Sequence, residues 1–476
     1  MSHNSIYPPR LFLLFAALGL AASDANADTQ EPSRPPNVVL VLIDNAGKDW
    51  FRCYGSQEDA TPNIDRLART GIKFRNCYVT PVCSTTRVML LTGRYPFTTG
   101  WHTHHDPAIY GGGYFDWDRE VSFARVMQSA GYRICITGKW QINDLFDPEQ
   151  KDAITKHGFH EHCLFPEGPV GHPAHKNRYW DAYIVADGER VDTKGKFGPD
   201  VTCDHLVDFM KRNRDRPFFA YHSDILTHIP VVTTPSSPDE NASARDKFEG
   251  MVRHCDRNVG RIVQALEDLG LRENTILIVT TDNGTDNGTD QGMDNSLGGR
   301  LNGRLSDQGI YSLKERGINV PLIVNCPKLV PAGESDDLID ATDFLPTLAE
   351  LGGARLPEGV QIDGRSFAPQ LLGKRPQQPW RPWCLSQYYT TRVVRNQRYK
   401  LYSTGEFFDL SEDPLEQHDL SQQPADALEP GDAAGRRELQ AVLDGLPENA
   451  KLPWEFRSIS ARAIRAAEEA EKEREK

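Results

Sequence analysis

The chain has 476 residues, of which 38% are hydrophobic and 25% are charged. This balance excludes a disordered chain, a collagen-like repeat and a membrane-embedded bundle. Lys and Arg total 54 and Asp and Glu total 67, which gives a formal net charge of -13. Such acidity argues against nucleic acid as a partner, so an anionic substrate has to meet local cations or a metal ion.

Residues 1–27 have the pattern of an export signal. Arg10 precedes an apolar run over 11–22, and small residues at 25 and 27 suit a cleavage site. The run is too short to span a bilayer, and no later segment is long and apolar enough to do so. We therefore predict an exported protein, periplasmic or secreted, that has no stable membrane anchor.

Short continuous apolar runs alternate with amphipathic helical patterns over the first 372 residues. Such runs are typical of parallel strands that are buried on both faces of a sheet. The runs lie at 38–43, 132–137, 218–221, 275–281 and 320–324, and helices are predicted at 62–70, 121–130, 256–269 and 342–351. The alternation predicts an α/β fold with a large, mostly parallel sheet sandwiched by helices.

The composition and the hydrophobic pattern of the sequence change after residue 372. Residues 373–383 are rich in Pro, Arg and Trp, and shorter segments with alternating polarity follow them. These segments, at 384–389, 392–395 and 399–403, are typical of antiparallel hairpin strands. We predict a large domain over 28–375 and a smaller C-terminal α+β subdomain over 376–476, which contains an antiparallel sheet and ends in a charged helical tail.

Two of the predicted strands are followed directly by an acid–amide pair. Asp44 and Asn45 follow the first strand, and Asp282 and Asn283 follow the strand at 275–281. Ligands of open α/β sheets bind beyond the carboxyl ends of the strands, so we expect these side chains to converge. Most such residues only cap turns, but carboxylate and amide oxygens in two pairs predict a site for Ca²⁺, or for Mg²⁺.

Cys83 opens the run Cys-Ser-Thr-Thr-Arg, which leads into a short helical pattern over 88–91. A cysteine at a helix N-terminus lies where amide donors and the helix dipole favour an anion. Arg87, one turn later, can pair with that anion. These residues alone leave two interpretations, a reactive thiolate and a buried structural cysteine, of which the second is the commoner.

Further motifs are distributed along nearly the whole of the mature chain. They are Tyr54-Gly55, Thr61-Pro62-Asn63-Ile64, Leu90-Leu91-Thr92-Gly93-Arg94, Gly138-Lys139-Trp140, Thr227-His228-Ile229-Pro230, 317–324, Asp363-Gly364-Arg365-Ser366, and Phe408-Asp409-Leu410 with Asp413-Pro414. Together with Cys83–Arg87 and the two acid–amide pairs, these motifs resemble the type I sulfatases of the alkaline-phosphatase superfamily.

The resemblance implies a calcium-dependent sulfuric ester hydrolase of the arylsulfatase type, whose nucleophile is a formylglycine that a maturation enzyme makes from Cys83. The hydrated aldehyde attacks sulfur, the alcohol leaves, and sulfate is then expelled. By position, Lys139 is implied to hold a sulfate oxygen, His228 to contact the leaving oxygen, and Arg87 to hold the formylglycine. Export and acidity fit a sulfated polysaccharide as substrate, and simple aryl or alkyl sulfates are also compatible.

The chain departs from the family's pattern at three informative positions. Asn45 stands where the family has a second Asp, which removes one negative charge from the predicted metal site. Thr85 stands where the modification motif usually has a proline. Gln141 stands where the family has a histidine that acts as a base, and glutamine cannot act as a base at neutral pH. We expect Gln141 to contact the substrate, and histidines 102, 104 and 105 are candidates for the missing base.

The second sulfate-binding lysine of the family is out of register here, and Lys314 or Arg304 is the candidate to replace it. A four-residue repeat over 282–295 places Asp286, Asp290 and Asp294 in a polar, glycine-rich loop. Its spacing differs from that of EF-hand ligands, which alternate at every second residue, so we expect the loop to line the pocket.

Two other functions stay open at this point. One is a phosphoester hydrolase of the same superfamily, which uses similar chemical groups on a substrate of different charge. The other is a sulfated-glycan-binding pseudo-sulfatase that has lost turnover, which the departures at Asn45 and Gln141 and the missing lysine favour.

Overall fold

The computed structural model describes residues 34–103, 114–168, 172–286, 297–301, 304–305, 309–374, 380–424 and 428–451. The described residues from Pro35 onward belong to one compact unit. The predicted export signal over 1–27 and the charged tail over 461–476 lie outside the described residues, and the domain boundary at 375 stays a prediction. Among the described helices, none is long and apolar enough to cross a membrane.

The strands of the described chain are β1 (Asn37–Ile43), β2 (Ile72–Tyr78), β3 (Arg133–Lys139), β4 (Glu161–Phe165), β5 (Val185–Ala186), β6 (Glu189–Arg190), β7 (Phe218–Ser223), β8 (Thr275–Thr281), β9 (Arg300–Leu301), β10 (Arg304–Leu305), β11 (Leu322–Asn325), β12 (Gly333–Asp340), β13 (Cys384–Tyr388), β14 (Thr391–Arg395), β15 (Tyr399–Tyr402) and β16 (Phe407–Asp409). The α-helices are α1 (Pro62–Thr70), α2 (Cys83–Thr92), α3 (Pro96–Thr99), α4 (Phe123–Ser129), α5 (Ala153–Lys156), α6 (Pro173–Lys176), α7 (Gly198–Arg212), α8 (Ala244–Asp268), α9 (Glu315–Ile318), α10 (Phe344–Gly352), α11 (Ala368–Leu371) and α12 (Pro430–Gly445).

A ten-stranded sheet forms the centre of the molecule, in the order β12-β2-β11-β8-β1-β7-β3-β4-β5-β6. Strands β8, β1, β7, β3 and β4 are parallel neighbours, while β11 runs antiparallel to β8 and β2. The carboxyl ends of the central parallel strands therefore meet at one edge of the sheet, where ligands of such sheets bind.

Helices cover both faces of this sheet. Along β1, Val38, Leu40 and Leu42 face one apolar core, while Val39 and Val41 face the other. The first core includes side chains of α2, α4, α10 and α11, and the second includes side chains of α1, α7 and α8. A strand that is buried on both faces has no polar side to alternate with, which explains its continuous apolar sequence.

The C-terminal strands β13-β14-β15-β16 form a separate antiparallel sheet in sequential order. Helix α12 packs closely on it, since a Cβ atom added to Gly435 would lie 2.2 Å from the ring of Tyr399. The large, mostly parallel sheet with helices on both faces and the smaller antiparallel sheet confirm the predicted fold class.

Element bounds follow the sequence where the pattern is local and depart from it elsewhere. The predicted strand 275–281 and helix 62–70 match β8 and α1 in both bounds. Helix α8 begins at Ala244 rather than at 256, because Ser243 caps it by accepting a hydrogen bond from the backbone N–H of Asp246. Strand β12 has no apolar run to reveal it, because its first residues lie at a sheet edge and are largely exposed.

Gly138 precedes the last residue of β3 and has a φ of +96°. A Cβ atom at this position would lie 1.9 Å from the carbonyl oxygen of Ser223 on the neighbouring strand β7. Gly131 has a similar φ of +82°, but a Cβ atom there would meet nothing within 4 Å. Both glycines have a positive φ, but only at Gly138 would a side chain also collide with a neighbouring strand. Substituting each one therefore distinguishes the cost of the backbone conformation from the cost of the steric clash.

We expect Gly138→Ala to lower the free energy of unfolding by more than about 4 kcal/mol, because neither backbone can move without breaking the ladder between β3 and β7. Gly131→Ala should cost only about 1–2 kcal/mol, the cost of the left-handed conformation. Thermal and denaturant unfolding of the two variants measure the difference. Equal losses would contradict the close approach of β3 to β7.

Candidate active site

Four neighbouring strands of the large sheet carry polar groups at their carboxyl ends. Asp44 follows β1, Asp282 follows β8, Lys139 ends β3 and Ser223 ends β7. All four side chains are at most 1% exposed. Since β8, β1, β7 and β3 are adjacent in the sheet, their ends form one continuous polar floor beneath the N-terminal turn of α2.

Arg87 on α2 contacts the end of each of these strands. Its Nη2 atom donates to Oδ2 of Asp44 at 2.9 Å and to Oδ2 of Asp282 at 2.7 Å. Its Nη1 atom donates to the hydroxyl of Ser223 and lies 3.5 Å from the carbonyl oxygen of Lys139. Because both carboxylates contact one nitrogen atom, they are close enough to share a bound ion.

The two carboxylates have opposite pKa shifts. Burial alone would raise the pKa of Asp44, but the positive charges of Lys139 and Arg87 outweigh it and lower the pKa to about 2. Burial and the charge of Asp44 raise the pKa of Asp282 to about 6. A cation bound beside Asp282 would lower the pKa of this carboxyl group and favour its ionised form. The ionised form is the one that can bind a metal ion.

Cys83 is the first residue of α2, and its side chain is fully buried. The ammonium group of Lys139 lies 3.6 Å from its Sγ atom and 2.8 Å from Oδ2 of Asp44. Burial, with the negative charges of Asp44 and Asp282, raises the pKa of the Cys83 thiol to about 12. The unmodified thiol is therefore protonated at neutral pH.

The acid–amide pairs that follow β1 and β8 contact each other directly. The backbone N–H of Asn45 donates to Oδ1 of Asp282 at 3.1 Å. The amide Nδ2 of Asn283 donates to Oδ1 of Asn45 at 2.7 Å. The sequence therefore predicted the convergence of these four residues, which lie far apart along the chain.

Two oxygen atoms of this group, Oδ1 of Asp44 and Oδ1 of Asn283, are buried and accept no hydrogen bond in the described structure. An unsatisfied buried acceptor costs about 1–3 kcal/mol. A divalent cation would satisfy both atoms, and carboxylate and amide oxygens are the donors that Ca²⁺ and Mg²⁺ prefer. The residues present thus fit the metal ion that the sequence predicts.

A second group of metal-ligating side chains lies elsewhere, where ligand atoms of Glu161, Asp187 and His205 are within 4.8 Å of one another. Both carboxylate oxygens of Glu161 are already paired, one with Arg133 at 2.9 Å and the other with Arg212 at 2.7 Å. Both oxygens of Glu161 are thus engaged by cations, whereas Oδ1 of Asp44 at the edge of the large sheet has no hydrogen-bond partner among the described residues, so the group around Glu161 is better explained as an ion-pair network.

His228 lies in the loop that follows β7. Its Nδ1 atom is 2.9 Å from Nη1 of Arg178 and 2.7 Å from the carbonyl oxygen of Ile229. Burial lowers the pKa of His228 well below its ordinary value, and the charge of Lys139 lowers it further. The imidazole is therefore neutral at physiological pH.

The loop of His228 is also tied to the predicted metal ligands. The backbone N–H of Thr227 donates to the carbonyl oxygen of Asp44 at 2.6 Å, and the backbone N–H of Asp44 donates to the carbonyl oxygen of Leu226 at 2.8 Å. The hydroxyl of Thr227 reaches the carbonyl oxygen of Asn45 at 3.3 Å. The ends of β1 and β7 are thus held together by backbone contacts.

Gln141 and Lys314, the predicted substrate contacts, lie in different surroundings. Gln141 follows β3 with a φ of +71°, and its buried Oε1 atom accepts no hydrogen bond within the described structure. Lys314 is the N-cap residue of α9, and its ammonium group donates to the carbonyl oxygen of Glu416 at 3.3 Å. Lys314 thus has a structural partner beside the C-terminal sheet, and its contact with substrate stays a prediction.

Several other candidates cannot be placed. His104, His105, Asp290, Asp294 and the side chain of Arg304 lie outside the described part of the chain. His102 is half-buried, and burial lowers its pKa below the ordinary value. A role for any of these histidines as the base stays a prediction.

Three residues of the site escaped the sequence analysis as individual candidates. Ser223 accepts from Arg87, and Arg178 contacts His228, although neither belongs to a recognisable motif. Asp286, which the repeat placed only in a polar loop, accepts from Nδ2 of Asn45 at 3.3 Å. The sequence did contain a hint of this contact, since Asp286 follows Asp282 by only four residues and so lies close to the predicted metal ligands.

Comparison with known proteins agrees with this geometry. The family model described as Sulfatase matches residues 36–354. The chain belongs to the sulfatase family. A second model, N-sulphoglucosamine sulphohydrolase, C-terminal, matches residues 310–429. The prediction of a type I sulfatase, an enzyme that hydrolyses sulfate esters, is therefore confirmed.

The sulfatase has curated relatives of similar length. It is 32% identical over 396 residues to N-acetylgalactosamine-6-sulfatase of Canis lupus familiaris, with 76% of this chain and 70% of the relative covered. It is also 32% identical over 393 residues to arylsulfatase A of Homo sapiens, with 78% and 73% covered.

Solved structures share its fold. The crystal structure of Ps i-CgsB in complex with k-i-k-neocarrahexaose matches with a TM-score of 0.73 at 24% identity, covering 91% of this chain and 97% of the other. A structure in complex with its substrate D-glucosamine-2-N,6-O-disulfate matches with a TM-score of 0.65 at 20% identity, covering 86% and 97%.

We expect calcium to raise the melting temperature of the metal-stripped sulfatase, because an ion that binds only the folded state stabilises it by about 2.7 kcal/mol at 100 times its Kd. Asp282→Asn should abolish this calcium-dependent increase, since the site loses a carboxylate charge. Asp336→Asn, which alters an exposed carboxylate paired with Arg75, is the control and should keep the full increase. An undiminished increase in Asp282→Asn would remove Asp282 from the metal site.

Proposed function

We propose that this sulfatase removes sulfate from a sulfated carbohydrate, with formylglycine at position 83 and a bound calcium ion. The proposed calcium ligands are Asp44, Asn45, Asp282 and Asn283. The observation that carries the proposal is the position of the Lys139 ammonium group, 3.6 Å from Sγ of Cys83 and 2.8 Å from Asp44. Positive charge thus lies between the nucleophile position and the proposed metal ligands.

The protonation state of Cys83 supports the need for a modification. A thiol with a pKa of about 12 contributes almost no thiolate at neutral pH, so an unmodified Cys83 is a poor nucleophile. Formylglycine, when present, supplies a hydroxyl nucleophile from its hydrate at the same position. The maturation enzyme has to accept Thr85, whose hydroxyl is buried and donates to the carbonyl oxygen of Val82 at 3.0 Å.

The surroundings of residue 83 suit an anionic sulfate group. Lys139 supplies an ammonium donor, and residue 83 lies at the N-terminus of α2, where the helix dipole favours negative charge. Arg87 is held by two carboxylates and a hydroxyl below the nucleophile position, so we infer that it orients residue 83 and the floor of the site. A bound calcium ion supplies further compensation for the charge of the sulfate oxygens.

His228 is suited to donate a hydrogen bond to the leaving oxygen. Nδ1 of His228 lies 2.9 Å from Nη1 of Arg178, which only donates, and 2.7 Å from the carbonyl oxygen of Ile229, which only accepts, and both contacts leave Nε2 as the ring nitrogen that can reach the substrate. We propose the tautomer that carries its proton on Nε2, in which Nδ1 accepts from Arg178. We propose that this N–H stabilises the leaving alkoxide and transfers its proton as the ester bond breaks.

A carbohydrate is favoured as the organic part of the substrate. Two structural neighbours are described in complex with neocarrahexaose and with D-glucosamine-2-N,6-O-disulfate. A phosphoester hydrolase is disfavoured by membership of the sulfatase family. We further propose that the enzyme acts outside the cytoplasm, on the strength of the export signal predicted over 1–27.

We expect a peptide containing residue 83 to be lighter by about 18 Da than the unmodified cysteine peptide, because the aldehyde replaces the thiol. Cys83→Ala should abolish sulfate release, since no nearby group substitutes for the nucleophile. Mass spectrometry and a sulfate-release assay check both results. Cys53→Ala, which alters a half-buried cysteine outside the site, is the matched control. An unmodified Cys83 in a protein that binds sulfated saccharides without turnover would favour the pseudo-sulfatase.

We expect the step after alcohol release to limit turnover, because Gln141 cannot take up a proton as a histidine base would. Rapid-mixing kinetics should therefore give a burst of alcohol before the steady state. Gln141→His should raise kcat and reduce the burst, while Gln141→Asn, which keeps an amide, should do neither. A wild-type enzyme without a burst, together with an unchanged kcat in Gln141→His, would contradict this assignment.

A further inference from the structure

Three tyrosines, the exposed Tyr311 and Tyr389 and the partly buried Tyr388 between them, form a patch of rings that we call the tyrosine platform. Tyr311 is 39% exposed and Tyr389 is 53% exposed, and both belong to the small set of large apolar side chains that are exposed among the described residues. The ring centroids of Tyr311 and Tyr388 are 6.3 Å apart, and those of Tyr388 and Tyr389 are 4.6 Å apart. The rings thus form one continuous aromatic surface.

The tyrosine platform adjoins the segment that leads into Cys83. The backbone N–H of Tyr311 donates to the carbonyl oxygen of Pro81 at 2.9 Å, two residues before Cys83. On the other side, Tyr388 ends β13, and the hydroxyl of Ser386 on the same strand donates to the carbonyl oxygen of Val79 at 2.7 Å. Both halves of the platform are therefore fixed to the 79–83 segment, which leads directly into the nucleophile position.

The backbone holds two of these rings at a conformational cost. Tyr311 has a φ of +68° and Tyr389 a φ of +51°, in the left-handed region that bulky residues avoid. Tyr389 is kept there by hydrogen bonds from its N–H to His102 at 2.6 Å and to its carbonyl oxygen from Gln387 at 2.8 Å. Tyr389 is the first residue of the two-residue loop between β13 and β14, where such turns require positive φ and normally have Gly, Asn or Asp, so the turn explains the conformation but not the choice of an aromatic side chain.

A cation without a carboxylate partner lies beside the platform. Arg392 pairs with Gln387 across β13 and β14, donates to the neutral amide oxygen of Asn449 at 2.6 Å, and forms no ion pair within the described structure. Its charge contributes to the lowered pKa of His102, the residue that also binds Tyr389. By contrast, the neighbouring cations Arg398 and Lys400 are paired with carboxylates.

We propose that the tyrosine platform binds a sugar ring next to the one that carries the cleaved sulfate, and that Arg392 binds an anionic group of the same chain. The inference rests on the proposed function and defines its substrate as an anionic saccharide of at least two rings. The C–H faces of a sugar ring pack on the faces of aromatic rings, whose quadrupole is negative there. Three side chains are too few for a stable protein interface, which needs about 1,200 Å² or more.

The experiment compares kcat/KM for 4-nitrophenyl sulfate with that for the best-cleaved member of a panel of sulfated oligosaccharides from carrageenan, heparin and chondroitin sulfate. Tyr389→Ala and Tyr311→Ala should each lower kcat/KM for the oligosaccharide about 10-fold and leave that for the aryl sulfate within about 2-fold. Tyr389→Phe keeps the ring and should retain wild-type values. Leu356→Ala removes an exposed apolar side chain elsewhere and is the control.

Each other outcome overturns the inference. Equal losses on both substrates would make the tyrosines structural, and unchanged values on both would make them irrelevant to binding. A panel on which no oligosaccharide is cleaved faster than the aryl sulfate would show that the enzyme has no site for a second ring. Failure of the proposed function is distinguishable, because wild type carrying the modified residue 83 would then release sulfate from none of these substrates.

Discussion

One guanidinium group connects the ends of four strands. Arg87 contacts Asp44 after β1, Asp282 after β8, Ser223 at the end of β7 and the carbonyl group of Lys139 on β3. Leaving a buried charge without its partner costs about 3–5 kcal/mol, so the helix that begins at Cys83 and the edge of the sheet depend on each other. The position of residue 83 over the proposed calcium ligands follows from this shared network.

The same network includes Asn45, which we propose as a calcium ligand. The position lacks the negative charge of a second aspartate, but Asp286 accepts a hydrogen bond from the Asn45 amide and places a carboxylate next to it. Asn45 also has a φ of +59°, a conformation that asparagine adopts more readily than most residues. A carboxylate one contact away from the proposed ion therefore offsets part of the lost charge, while the amide oxygen stays oriented by Asn283.

The two sheets divide the tasks that we propose for this sulfatase. Groups at the edge of the large sheet hold the nucleophile and the metal ligands, all of them deeply buried. The C-terminal sheet contributes Tyr388 and Tyr389 through β13, which is tied to the 79–83 segment. In this proposal the buried charged groups at the edge of the large sheet carry out the reaction, and the tyrosine platform recognises the saccharide. Substitutions in the platform could therefore change substrate preference without altering the reacting groups.

The sequence by itself determined the buried strands β1, β3, β7, β8 and β11, the acid–amide pairs that follow β1 and β8, and the helix that begins at Cys83, because each is a local pattern of polarity. It could not reveal the edge strand β12, which has no apolar run, or the early start of α8, which depends on a single cap. Only the tertiary structure decided that Asp286 binds Asn45, that Arg178 contacts His228 and that Tyr311 meets Tyr388. These partners are selected by packing between distant segments, and no local pattern encodes which surface side chain another will reach.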